Sequence, residues 1–115
     1  MPKTKTHWKL LGHVGVDAGM LMIGDPCYFI DKDSDAQKAF PGGWSEFCKK
    51  HGYEVEHKPQ MNYARGHAGL GVVASTSYGD GTYPVYGLFD ARSDRPKAMI
   101  VVTDDVTDLP ELPED

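Results

Sequence analysis

Ionisable and aromatic side chains gather around two turn motifs of this sequence, and such residues are typical of binding sites. Asp25-Pro26 and Gly79-Asp80-Gly81 both predict turns, because proline and glycine interrupt regular structure. Aspartate accepts hydrogen bonds, tyrosine stacks and donates, and arginine and histidine counter an anionic group. We therefore predict a ligand-binding site where the corner at residues 25–28 meets the segment 79–86. Its residues would be Asp25, Tyr28, Arg65, His67, Asp80, Tyr83 and Tyr86.

The same residues also have a purely structural interpretation. Asp25 and Asp80 each stand in a turn, and aspartate side chains commonly accept hydrogen bonds from the N–H groups of turns. Tyrosine serves cores as well as binding sites, because its ring offers a large apolar area. The sequence alone leaves both interpretations open.

An acidic segment, residues 31–35 (DKDSD), begins like an EF-hand calcium loop but does not continue like one. Such a loop has glycine at its sixth position and glutamate at its twelfth, where the glutamate is a bidentate ligand. Ala36 and Gly42 stand at those positions here. We therefore expect no calcium site. We expect instead a solvated loop in which Asp33 or Ser34 caps a short helical turn.

The spacing of cysteine and histidine gives no complete zinc or nucleophile motif. Cys48 and His51 lie on one face of a predicted helix, and a zinc ion there would need Cys27, His57 or His67 as further ligands. A single Cys-x-x-His pair matches no zinc-finger spacing. A base three residues from its cysteine on a helix also approaches the sulfur poorly. We expect no metal, no cofactor and no catalytic residue, with both cysteines reduced and buried.

The distribution of charged and apolar residues argues against nucleic acid and a membrane as partners. The chain has 17 acidic residues against 12 Lys and Arg, for a net charge of −5. Six of the acids lie in residues 104–115, which hold no base, so residues 1–103 have a net charge of +1 and no basic field for nucleic acid. No apolar run approaches the ~18 residues of a membrane span, and no secretory signal is visible. We expect a cytoplasmic protein whose acidic tail is disordered.

Apolar alternation and frequent turn residues predict the elements that position these side chains. The segment at about 43–51 predicts a helix with apolar residues at i, i+4 spacing, ended by Gly52. Residues 59–67 predict a loop, and Pro84 predicts an edge strand or a bulge. The first two strands are expected to form a hairpin with its turn at 16–19. The predicted strands are residues 7–15, 20–24, 53–58, 70–74, 82–89 and 98–103.

Short connections between these strands favour antiparallel pairing. The prediction is therefore a mainly β or α+β fold, either an antiparallel β-sandwich or a partly open barrel of about six strands. One short helical insertion interrupts it. Residues 1–103 are expected to form a single domain, followed by the acidic tail at 104–115.

Two stretches resemble short proteins encoded by bacteriophages and prophages. They are residues 16–28 (VDAGMLMIGDPCY) and residues 78–86 (YGDGTYPVY), and the second is followed by the strand at 99–102. These proteins are in turn similar to an uncharacterised bacterial domain family with a late Gly-Asp-Gly-x-Tyr-Pro-Val element. The resemblance implies a compact β-rich fold and a phage or bacterial origin. It implies no activity.

These observations favour a small non-enzymatic binding protein. Its partner would be a host protein or a small polar ligand, in the host cytoplasm if the chain is phage-encoded. Two alternatives stay open: a small metal-dependent or His/Asp-based hydrolase, and a structural phage component. Bound zinc would favour the hydrolase, and large homo-oligomers would favour the structural component. The oligomeric state is left open, a homo-oligomer included.

Overall fold

The computed structural model describes residues 5–51 and 59–104, and within them the chain is rich in β-strands. Six strands form two antiparallel sheets of three strands each, accompanied by two short helices. This confirms the predicted β-rich class, and in the described ranges neither sheet closes into a barrel. The predicted strand at 53–58 and residues 105–115 of the predicted tail lie outside the described residues.

The chain divides into two compact units. The first unit consists of residues 1–19 and 76–115, and the second consists of residues 20–75. Each unit holds one of the sheets, and both helices lie in the second unit. The single domain predicted for residues 1–103 stays a prediction.

The sheet of the first unit has strand β5 (Gly81–Asp90) at its centre, between β1 (Thr6–Val16) and β6 (Ser93–Val101). Both pairings are antiparallel. Tyr86 lies near the middle of β5, with a neighbour on each adjacent strand, and is only 1% exposed. Aromatic residues suit such positions because cross-strand neighbours cover their rings. The aromatic run of β5 therefore provides much of the core of this unit.

Pro84 lies on this central strand, so the predicted edge position is wrong. Its carbonyl accepts a hydrogen bond from the N–H of Val102 at 3.1 Å, which places its polar backbone atoms on the β6 side. The paired part of β6 ends one residue earlier, at Val101. Pro84 therefore lies at the end of the hydrogen-bond ladder between β5 and β6, and the backbone N–H that proline lacks is missing only there. A bulge does occur, but on strand β1, where the pairing shifts register between Leu10 and Gly12.

Asp90 closes the tight turn between β5 and β6. Its carboxylate accepts hydrogen bonds from the backbone N–H of Arg92 at 2.9 Å and from the guanidinium of Arg92 at 3.1 Å, and it lies 3.3 Å from the Lys97 ammonium. The N–H of Arg92 is the main cause of the lowered pKa of Asp90, and burial opposes it. The carboxyl side chain is only 4% exposed, and these donors keep it ionised.

The sheet of the second unit has β4 (Ala68–Ser75) at its centre, between β2 (Met20–Ile23) and β3 (Gln60–Asn62). The loop predicted for residues 59–67 is therefore wrong at β3. Met61 is the one buried residue of that strand and has polar neighbours on both sides. A three-residue strand with a single apolar side chain gives no periodic signal, which is why the sequence did not reveal it.

The predicted hairpin of the first two strands is also wrong. A turn does occupy residues 17–19, where Gly19 has a φ of 68°, a conformation that favours glycine. However, β1 pairs with β5 and β2 pairs with β4, so the strands on either side of this turn belong to different sheets. A turn signal predicts a change of direction, whereas the pairing partner depends on side chains far away in the sequence.

Two short helices follow the second strand. They are α1 (Asp35–Ala39) and α2 (Trp44–His51), and α2 confirms the predicted helical insertion. The Ser34 hydroxyl accepts a hydrogen bond from the N–H of Gln37 at 3.3 Å, which confirms the predicted cap. Gly43, with a φ of 72°, ends the turn between the helices.

The ring of Phe29 packs on a part of the second sheet that lacks side chains. It follows a short 3₁₀ turn, Pro26–Tyr28. A Cβ atom on Gly24 would lie 2.5 Å from the Cε2 atom of Phe29, and a Cβ atom on Gly71 would lie 2.9 Å from the carbonyl oxygen of Ile23. Both glycines are therefore required by close packing.

The buried core of the second unit joins its helices to its sheet. Its members are Ala39, Phe40, Met61, Leu70 and Val73. Because Ala39 and Phe40 come from the helical segment and the other three from β3 and β4, the core depends on residues from separate elements.

We expect Asp90→Asn to lower stability near neutral pH and to weaken the response of stability to acid. Folding lowers the pKa of this carboxyl, so its stabilisation is present above the unfolded-state pKa of about 3.9 and is lost as pH falls through the folded-state pKa. Urea unfolding from about pH 7 to about pH 2 measures both effects. Asp94→Asn, at an exposed position before Lys97, is the control. Equal acid sensitivity in Asp90→Asn and the unchanged protein would contradict this role.

We expect Met61→Ala to lower the free energy of unfolding by about 2–5 kcal/mol, because its side chain is 1% exposed and truncation leaves a cavity. Met99→Ala is the matched control. Met99 is 67% exposed, so its truncation should cost less than about 0.5 kcal/mol. Urea unfolding measures both losses. Similar losses in the two variants would show that Met61 does not support the core.

Candidate functional site

The predicted site residues divide between the two units. The first unit contains Asp80, Tyr83 and Tyr86, and the second contains Asp25, Tyr28, Arg65 and His67. A joint site formed by both groups stays a prediction. Inside each unit, some of the predicted site residues are buried and others are accessible.

Tyr83 and Tyr86 are core residues of the first unit. Tyr86 is inaccessible to a ligand because its side chain is almost completely buried. The hydroxyl of Tyr83 donates a hydrogen bond to the carbonyl of Gly79 at 2.8 Å, and the hydroxyl of Thr76 donates to the same carbonyl at 2.5 Å. Tyr83 therefore supports the turn, and Asp80 is the predicted residue of this unit that is exposed.

Asp25 has a structural role at the 3₁₀ turn of the second unit. Its Oδ1 atom accepts a hydrogen bond from the N–H of Cys27 at 3.0 Å, and this bond lowers the pKa of Asp25. These contacts favour the turn interpretation of Asp25. The residue is nevertheless exposed, so its negative charge is also part of the surface of this unit.

Tyr28 and His67 come together through a third ring, Tyr63, which the predicted site did not include. Tyr28 meets Tyr63 edge to face, with 5.4 Å between ring centroids, and His67 stacks on Tyr63 at 4.4 Å. The hydrogen bond with Tyr28, together with burial, raises the pKa of Tyr63 to about 12. Arg65 is exposed in the turn between Tyr63 and His67. The glycine of that turn, Gly66, is the sequence signal that could have placed Tyr63 beside His67.

The second unit contains an apolar groove of about 380 Å³, which the sequence did not predict. Strand β2, the residue after the 3₁₀ turn and both helices contribute its wall. The apolar side chains that define it are Met20, Met22, Phe29, Phe40, Trp44 and Phe47.

Three aromatic rings organise the helical wall of this groove. Trp44 stacks on Phe47 with 5.5 Å between ring centroids, and Phe47 meets Phe40 edge to face at 5.4 Å. Trp44 is 57% exposed and Met22 is 41% exposed. Large apolar side chains that gather on a surface mark interaction sites. The helical spacing of these residues is equally typical of a core, so a groove cannot be recognised from the sequence pattern.

A polar cleft of about 540 Å³ adjoins the apolar groove at Phe40, which lines both. Its wall includes Lys38, Glu46, Asn62 and Tyr63. An ammonium group, a carboxylate and an amide therefore line the same cleft. This combination suits a small polar molecule better than an apolar one.

The cysteines and the candidate metal ligands form no cluster in the described part of the chain. Cys27 and Cys48 are free thiols, but Cys27 is exposed, so its predicted burial is wrong. It follows Asp25-Pro26 in a surface turn. Among the side chains that the structure describes, no group of three or more His, Cys, Asp or Glu could hold a metal ion. His57 and the side chain of His51 lie outside that described part.

Two further findings bear on function. None of the helices in the described residues has the length and apolar character to cross a membrane. Comparison with protein-family models, with curated proteins and with solved structures finds no match for this chain. The apolar groove, the polar cleft and the aromatic group around Tyr63 are therefore the features from which a function can be inferred.

We expect Tyr83→Phe to lower the free energy of unfolding by about 0.5–1.5 kcal/mol, because it removes the hydrogen bond to the Gly79 carbonyl. Tyr78→Phe is the matched control, since Tyr78 is an exposed tyrosine of the same loop. Urea unfolding of both variants measures the difference. If the two variants are equally stable, the hydroxyl of Tyr83 does not support this turn.

Proposed function

We propose that this chain is a small non-enzymatic binding protein whose partner is another protein. The resemblance of residues 16–28 and 78–86 to phage-encoded proteins extends the proposal to a phage protein that binds a host protein in the host cytoplasm. The observation that carries the binding function is the apolar groove of the second unit.

The dimensions and chemistry of the groove suit an apolar side chain of a partner. Its volume of about 380 Å³ lies within the range of about 300–1,000 Å³ typical of ligand-binding clefts. Trp44 and Met22 keep large exposed areas at its wall. Tryptophan and methionine are enriched at the centres of protein interfaces, because burying them removes much apolar surface from water.

The polar groups of the groove favour a protein partner over a small polar ligand. Ser34 and Gln37 line it, but the Ser34 hydroxyl already accepts a hydrogen bond from the N–H of Gln37. Few polar groups therefore remain in the wall to orient a small polar molecule. A protein segment needs fewer, because its own backbone and flanking residues can contact the rim.

A second candidate function is the sequestering of a small polar ligand, and the polar cleft favours it. Lys38 and Glu46 place opposite charges in its wall, with the amide of Asn62 beside them. Such a set could bind a ligand that carries both a positive and a negative group.

Selection from a displayed random-peptide library, with the full-length protein as target, tests the proposed function. We expect enriched peptides to bind the groove, so Trp44→Ala should weaken their affinity at least about tenfold, equivalent to ~1.4 kcal/mol. Ile30→Ala is the matched control. Ile30 is an exposed apolar residue of the same unit that does not line the groove. Fluorescence polarisation with the labelled peptides gives the affinities.

Two outcomes would count against the proposed function. The first is a library that yields no binding peptide, and the second is a set of peptides that bind Trp44→Ala and the unchanged protein equally well. Met22→Glu gives a second measurement, because it places a charge at an exposed position of the groove wall. Circular dichroism of each variant establishes that it is folded.

A further inference from the structure

An acidic depression adjoins the apolar groove in the second unit. It has a volume of about 490 Å³, and its wall consists of Cys27, residues 31–35 and Lys38. Ser34 lines both the depression and the groove, and it is itself buried. The two concavities therefore have one wall residue in common.

Negative charge exceeds positive charge in this depression. Three carboxylates and two ammonium groups line it, from Asp31, Asp33, Asp35, Lys32 and Lys38. No lysine or arginine whose side chain the structure describes forms an ion pair with any of the three carboxylates. They are therefore available to a cationic group of a partner.

The thiol of Cys27 shows the sign of the electrostatic potential at this place. Its pKa is raised, first by a hydrogen bond with the Asp25 side chain, then by burial, and then by the charges of Asp25, Asp35 and Asp31. Negative charge raises the pKa of a thiol because it disfavours the thiolate. The charges that act on this thiol are therefore those of carboxylates, in agreement with the excess of negative charge among the residues that line the depression.

We propose that the apolar groove and the acidic depression form one composite site for a segment of a partner protein that carries an apolar side chain beside lysine or arginine. This rests on the proposed function and adds the chemistry of the partner. The apolar side chain fills the groove, and the cationic side chain crosses Ser34 to the carboxylates. Burial of the apolar group supplies most of the affinity, and the charges select the partner.

A displayed library with a fixed phenylalanine flanked by randomised positions tests this chemistry on the full-length protein. We expect lysine and arginine to be enriched beside the phenylalanine, and aspartate and glutamate to be depleted. Binding of the selected peptides should weaken about tenfold between about 0.1 M and about 1 M salt, because salt screens exposed charges.

The test variant combines Asp31→Asn, Asp33→Asn and Asp35→Asn in one protein. Asp94→Asn is the matched control. The triple variant should bind the selected peptides about tenfold more weakly at low salt and should lose most of the salt dependence. Asp94 is an exposed carboxylate of the first unit, so Asp94→Asn should leave the affinity unchanged. If circular dichroism shows the triple variant to be unfolded, Asp33→Asn alone replaces it, with a loss of about twofold expected.

The outcomes separate this inference from the proposed function. The composite site is overturned if the peptides require Trp44 but show no preference for lysine or arginine. It is also overturned if they require Trp44 and bind the triple variant as well as the unchanged protein. In both cases the groove is still a binding site. A library that yields no peptide, or peptides indifferent to Trp44→Ala, overturns both.

Discussion

The second unit depends on the close packing of one ring against a glycine. Phe29 can take its position because Gly24 has no side chain: a Cβ on Gly24 would lie 2.5 Å from the ring. A Cβ on Gly71 would lie 2.9 Å from the carbonyl oxygen of Ile23, so the neighbouring backbone, and not the ring, requires that glycine. With the ring in this position, the chain passes from the 3₁₀ turn into the helices, and Ala39 and Phe40 can reach the sheet. The core and the apolar groove both depend on this contact, since Phe29 packs against the first and lines the second.

The groove exists because the two helices are too short to cover the apolar surface beside them. Helix α1 has five residues and α2 has eight, so each presents only one or two turns to the sheet. Phe40 is buried, whereas Trp44 at the start of α2 stays largely exposed. In the first unit, by contrast, Tyr83 and Tyr86 are used in packing and turn support. Accessible aromatic side chains are found in the second unit at Trp44 and in the group around Tyr63, and in the first unit at Tyr78.

Much of the fold could be predicted because it is coded locally. Alternating apolar residues indicated the strands at β1, β2, β4, β5 and the end of β6, and the apolar spacing together with Gly52 indicated α2. These local patterns did not reveal β3, because a strand with a single apolar residue shows no periodicity. They also predicted an edge strand or a bulge at Pro84. In sequence, a proline at the end of a hydrogen-bond ladder on a central strand cannot be distinguished from a proline on an edge strand.

The sequence by itself determined the turn at Asp25-Pro26, a cap at Asp33 or Ser34, the helix at Trp44–His51 and the lack of a complete catalytic motif. These follow from the chemistry of residues a few positions apart. Only the tertiary structure decided that Tyr86 is buried, that β1 pairs with β5, and that Met22, Phe29 and Trp44 share one groove. Burial and strand pairing depend on side chains that are distant in the sequence and meet only when the chain is folded, so no local pattern contains them.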